Sequence, residues 1–196
     1  MPLLPLEPFV FPDDLLRHPA PGNEDPTRWW ALHTRPRAEK ALARKLLRRN
    51  EAFFLPLYKR QWRHRGRLLC SYVPLFPGYL FLQGDAAAAC RALETNLVAR
   101  ILNVPDQAQL HADLGRIVCL IATGAPLTPE DRLQPGTRVA ITRGSLAGLE
   151  GKILRRGKHL KFLVEVEFLQ RGVSVEVENW MIQPQESPHA LAPALG

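Results

Sequence analysis

Three prolines within the twelve residues APLTPEDRLQPG (125–136) split the chain into two stretches whose apolar residues repeat at different intervals. Proline removes a backbone donor and fixes φ, so neither a helix nor a central strand runs through such a segment. Before it, runs of strand length alternate with runs that repeat every three or four residues. After it only period two remains: Val139 and Ile141, then Phe162, Val164, Val166 and Phe168, then Val173, Val175 and Val177. Gly144, Gly148, Gly151, Gly157 and Gly172 fall in or beside the turns. The pattern predicts a mixed domain at 28–124, a linker at 125–134, a small five-stranded barrel at 135–184 and a tail at 185–196. Residues 1–27 hold seven prolines and no periodicity, which predicts an extended or disordered arm.

Within 28–124, RWWALHT (28–34) reads as a buried strand and PRAEKALARKLLRRN (36–50) as a helix with the apolar stripe Ala38, Leu42 and Leu46. FFLPLYKRQW (53–62) and LLCSYVPLF (68–76) read as a hairpin around the turn RHRG, and LFPGYLFLQ (75–83) as the next strand. DAAAACRALETN (85–96) reads as a helix, ARILN (99–103) as a strand and AQLHADLGRIVCLIATG (108–124) as a helix stopped by Gly124. That order makes an α/β sandwich with a mainly antiparallel sheet, followed by an all-β domain.

Charge is distributed unevenly. The whole chain carries +7, yet residues 28–67 alone hold 13 basic and 2 acidic side chains. Pairing along a helix face cannot absorb such an excess, and the field it makes attracts a polyanion. Arg35, Lys40, Arg44, Lys45, Arg48, Arg63, Arg65 and Arg67 are the candidate phosphate contacts, which would position nucleic acid without reading its sequence. Trp62, flanked by Arg60, Arg63 and His64, either stacks on an unpaired base or covers the core. Phe76, Tyr79 and Phe81 are either ordinary core or a docking face rich in aromatic anchors. Leu146 and Leu149, in RGSLAGLEG, either meet a partner or fold back over their own domain.

The remaining residue types point away from catalysis. The six histidines are scattered without ligand spacing to a Cys or carboxylate, Ser145 follows a glycine directly and so makes no GxSxG elbow, and no phosphate-binding glycine loop occurs. The chain is therefore expected to be no enzyme and to need no cofactor or metal. Cys70, Cys90 and Cys119 form no CxxC pair, and the N-terminus shows no basic region followed by an apolar run. A reducing cytoplasm is the expected setting.

Taken in order, WWALHTRPRAEKAL, FFLPLYKRQW…RGR…PLFPGYLFL and PGTRVAITRGSLAGLEGKI resemble the N-terminal domain and KOW barrel of NusG-type transcription elongation factors, over roughly residues 28–184. The spacing from Trp29 through Phe81 is closer to RfaH-like specialised paralogues than to housekeeping NusG. The resemblance implies a monomeric, cytoplasmic elongation or antitermination factor that regulates transcription. It implies docking of Phe76, Tyr79 and Phe81 on the clamp helices of the largest RNA polymerase subunit, with the basic face on upstream or non-template DNA. It further implies that the KOW barrel holds Rho or a small-subunit ribosomal protein around Leu146 and Leu149. Ala87, Ala88, Ala89 and Cys90 stand where specialised paralogues carry a His/Thr-rich contact element, a departure from that pattern. The alternative is a KOW-containing RNA-binding or ribosome-associated protein, which would need the basic patch but not the aromatic strand.

Overall fold

The computed structural model describes residues 9–22, 26–130, 136–156, 159–178 and 181–184. The first part of the chain runs β1 (Val10–Phe11), β2 (Arg28–Thr34), α1 (Glu39–Arg48), β3 (Ala52–Phe54), β4 (Leu57–His64), β5 (Arg67–Pro74), β6 (Tyr79–Gly84), α2 (Ala86–Leu93), β7 (Val98–Asn103) and α3 (Gln107–Ala122). The second part runs β8 (Thr128–Glu130), β9 (Thr137–Ile141), β10 (Glu150–Arg156), β11 (His159–Val166), a 3-10 turn at Glu167–Leu169, β12 (Arg171–Val177) and β13 (Ile182–Pro184). The result is α/β, with antiparallel sheets in both parts.

Strands β1, β3, β6, β2 and β7, in that spatial order, form the first sheet. Alternation along each strand makes both its faces apolar. Leu32, Phe53, Leu80 and Leu82 meet Leu42 and Leu46 of α1 and Ala88 and Ala92 of α2 on one side. Trp29, Ala31, Phe54 and Phe81 lie on the other, in one cluster with Leu110, Leu114, Ile117 and Leu120 of α3. That cluster continues without interruption into Val139, Ile141, Phe162, Val164 and Val175 of the second sheet.

Several boundaries differ from the sequence expectation for local reasons. The first helix starts at Glu39, because Arg37 has φ +61° and cannot belong to a right-handed helix. The expected strand 53–62 is broken at Pro56, which offers no donor to a sheet neighbour. Beyond the break, among the described residues, β4 and β5 pair only with each other, from Leu57↔Pro74 to His64↔Arg67, as a separate ribbon. Its tip is a two-residue turn in which Arg65 and Gly66 have φ +48° and +75°, the handedness that suits strand twist. The strand expected from residue 75 begins at Tyr79, after Gly78 at φ +84°.

Two proline-rich segments carry strands. In the arm, β1 pairs with the edge of β3 and Leu55 N–H donates to the Phe9 carbonyl at 2.6 Å. Leu15 then enters the core. In the linker, β8 pairs with β12, and Ser174 donates to the buried Glu130 carboxylate at 2.7 Å. Pro129 is tolerated because β8 is an edge strand. Among the described residues the second sheet thus has six strands where the period-two count predicts five, in the order β13–β9–β10–β11–β12–β8. Residues 1–8 and 23–25 of the arm, 131–134 of the linker, 135, 157–158 and 179–180 of the expected barrel and the tail 185–196 lie outside the described residues. Among the described residues no helix is long and apolar enough to cross a membrane.

Two glycines separate packing from propensity. A methyl group on Gly151 would meet the Leu163 carbonyl oxygen and stand 2.8 Å from the Phe162 ring, whereas one on Gly115 in α3 would meet nothing within 4 Å. Gly151→Ala should therefore cost about 1–3 kcal/mol by overpacking. Gly115→Ala should add about 0.5–1 kcal/mol by restraining the unfolded chain. Thermal melts of the two variants against the parent check both signs.

Candidate docking and nucleic-acid surfaces

The Pro77–Gly78 corner is held from three sides. Gly78 N–H donates to Glu39 Oε1 at 2.8 Å, the Gly78 carbonyl accepts from Thr34 N–H at 2.9 Å, and Tyr79 N–H donates to the Phe76 carbonyl at 3.1 Å. Glu39 is largely buried, so its carboxylate acts here as a fixed acceptor at the start of α1. Gly78 accepts the left-handed φ without strain, and a Cβ there would face the His33 ring at 3.6 Å.

The three aromatic candidates are not equivalent. Phe76 and Phe81 are 1 % and 0 % exposed, with Phe81 stacked 6.4 Å from Phe54 and edge-on to Phe76 at 6.5 Å. They are core and cannot serve as surface anchors in this arrangement, because period two turns Phe81 toward the α3 side of the sheet. Tyr79, one step nearer the strand end, is half-buried. Its ring lies 5.3 Å from the His33 ring and 5.3 Å from the Arg171 guanidinium. Arg171 also donates to the Pro77 carbonyl at 3.3 Å, so the start of β12 covers this corner.

A second contact joins the two parts of the molecule at α3. Asp113, 1 % exposed, accepts from Glu167 N–H at 3.0 Å and from Gln109 Nε2 at 2.8 Å, and it pairs with Arg116. Burial pushes its carboxyl above the ordinary value of 3.8, against the opposing pull of the Glu167 N–H and Arg116. Beside it lies a polar cavity of about 180 Å³ that also exposes Arg138, Glu150, Lys152 and Glu165. Lys152 and Glu165 pair there at 2.6 Å. No periodicity or motif marks Asp113 or Arg171; their roles exist only once the two sheets meet.

The basic candidates fall into two groups. Lys40, Arg44, Lys45 and Arg48 lie on α1, just after Arg35. Lys40 Nζ donates to the Tyr72 carbonyl at 2.6 Å and Lys45 Nζ to the Thr95 carbonyl at 3.0 Å, so both brace the fold, and Arg44 also has a partner. Arg35 and Arg48 are exposed. Arg63, Arg65 and Arg67 are exposed at the ribbon tip, roughly 20 Å beyond its base at Leu57, at about 3.3 Å per residue. Trp62 does not cover the core: it is 41 % exposed, and its cross-strand partner Leu69 is 37 % exposed.

In the second sheet, Leu146 and Leu149 are 3 % and 8 % exposed. The loop folds back on itself through Ala147 N–H to the Gly144 carbonyl, Gly148 N–H to the Ile141 carbonyl and Leu149 N–H to the Leu146 carbonyl. Gly144 and Gly148, at φ +84° and +89°, permit that path. The two leucines therefore close their own core, which corrects the expectation that they are partner anchors.

Asp113 generates a pH test. Its raised folded-state pKa means that the unfolded chain ionises more readily, so folded-state stability falls as pH rises from the ordinary value through the folded one. Acidification should recover that stability, completely once pH is below the ordinary value. Asp113→Asn should remove this component from a melting temperature against pH profile while keeping an acceptor for Glu167 N–H. Asp113→Ala should destabilise at every pH by about 1–3 kcal/mol, through an unsatisfied buried donor.

Residues 27–112 match the family model described as transcription termination factor nusG, a span from β2 into the first turns of α3. No curated protein matches the chain.

Proposed function

We propose that this chain is a NusG-type transcription elongation or antitermination factor with RfaH-like specialisation, acting by binding and not by catalysis. The observation that supports it most is the reach of the family match, 27–112, which contains the Tyr79 corner, the basic face of α1 and the ribbon within one folded unit. RNA polymerase docks at Tyr79, the aromatic side chain of that strand left near the surface, with Phe76 and Phe81 as the rigid layer beneath it. Upstream or non-template DNA lies along Arg35, Arg48 and the ribbon. The second domain serves as a KOW-type module for Rho or a small-subunit ribosomal protein.

Arg171 lies over the Tyr79 ring, so docking there requires the Arg171 side chain to swing off. A cation over an aromatic face contributes about 0.5–1 kcal/mol at an exposed site, a latch that a polymerase surface can displace. The test is retention of the full chain on purified core RNA polymerase. Tyr79→Ala should weaken retention by about thirtyfold, as for an interface hot spot of about 2 kcal/mol. Arg171→Ala should strengthen it by about two- to fivefold. Phe81→Ala is unsuitable, since emptying that core site costs about 3–5 kcal/mol of stability. Absence of retention by parent and Arg171→Ala alike, with tight binding to ribosomes or RNA, would replace this reading with that of a ribosome-associated protein.

A further inference from the structure

Residues 57–74, the β4–β5 ribbon, contain Lys59, Arg60, Arg63, Arg65 and Arg67 and no acidic side chain. An isolated two-stranded ribbon has no second layer to bury an apolar face. Even so, Trp62, Leu68 and Leu69 stand 41 %, 64 % and 37 % exposed on it. The register Trp62↔Leu69 puts these two on one face, and period two adds Arg60 on the same strand and Arg67 on the opposite one. An open indole is thus flanked by guanidinium groups at alternate positions, on an arm free of carboxylates.

We infer that this face binds an unpaired nucleotide strand, with a base stacked on Trp62 and Leu69 and the flanking phosphates held by Arg60 and Arg67. Charge decides the class of partner: a surface with five basic and no acidic residues favours a polyanion, and an acidic protein would leave the indole without a flat counterpart. The indole decides the form of the strand. Base faces inside a duplex are already stacked and unavailable, whereas every unpaired base offers one. A purely electrostatic arm would use the arginines alone and would not distinguish the two forms. DNA and RNA strands share this chemistry. The inference rests on the reading that the basic face holds nucleic acid, and it assigns the ribbon the unpaired strand in particular.

The test is fluorescence anisotropy of the full chain with labelled strands of about 15 nucleotides, as DNA and as RNA, and with the matching DNA duplex. Trp62→Ala should weaken binding to a single strand by about tenfold or more and leave the duplex within about twofold. Trp62→Phe should recover most of the loss, because a smaller ring still stacks. Arg60→Ala with Arg67→Ala should weaken strand and duplex together and flatten the salt dependence of both. The preferred backbone identifies which strand is held. Equal single-strand binding by parent and Trp62→Ala, equal losses on strand and duplex, or no binding by the parent would each overturn the inference. Polymerase retention is read separately. Trp62-dependent strand binding without retention removes the docking reading and keeps this one, and retention with Trp62-indifferent binding does the reverse.

Discussion

The first sheet is apolar on both faces, and the arrangement of the molecule follows from having to cover both. Leu80 and Leu82 of β6 point one way and Phe81 the other, so no single layer of helices can exclude water from the strand. Helices α1 and α2 cover one side. The other is covered by α3, whose apolar residues belong to the same cluster as Phe162 and Val164 of the second sheet. Burying a ring such as Phe81 contributes about 1.5–3 kcal/mol, and Trp29, Phe54 and Phe76 share that layer. The two parts of the chain are consequently joined through a common apolar cluster as well as through polar contacts.

That covering creates the tension at Tyr79. The residues that make β6 attractive as a docking strand are the ones the fold most needs inside. What is left near the surface is the strand end, where Gly78 turns the chain and Glu39 fixes the turn. Arg171 and the buried Asp113 hold the second sheet against this side of the molecule by one ring contact and a few hydrogen bonds. These polar contacts add to the apolar cluster that the two parts share.

The ribbon obeys a different physics, because it is stabilised mainly at its base and by its own ladder. Lys40 is tied to the Tyr72 carbonyl there, and Leu75 N–H donates to the Pro56 carbonyl. Its register also spreads its charge. Lys59 faces Tyr72, Arg60 faces Ser71 and Arg63 faces Leu68, so only His64 and Arg67 at the tip set two basic residue types opposite each other. Cross-strand repulsion is thereby limited, and the ribbon keeps a dense positive surface without acidic neighbours.

The sequence by itself determined the alternation of helix and strand, the change to an all-strand pattern after 125 and the concentration of positive charge, because these depend on local periodicity, proline chemistry and composition. The strand RWWALHT and the helices that carry Leu42, Ala88 and Leu114 are legible for that reason. Only the tertiary structure decided how far along an aromatic strand the cover extends, so Phe81 and Tyr79, on the same face by period two, part ways into core and half-buried strand end. It alone recruited β1 and β8 from proline-rich segments, since an edge strand needs only a neighbour with unpaired backbone groups and tolerates proline on its open side. It turned Leu146 and Leu149 inward and Trp62 outward, and it brought Arg171 to Tyr79 across 91 intervening positions of chain. Burial and long-range contact are properties of the assembled layers, and no window of sequence contains them.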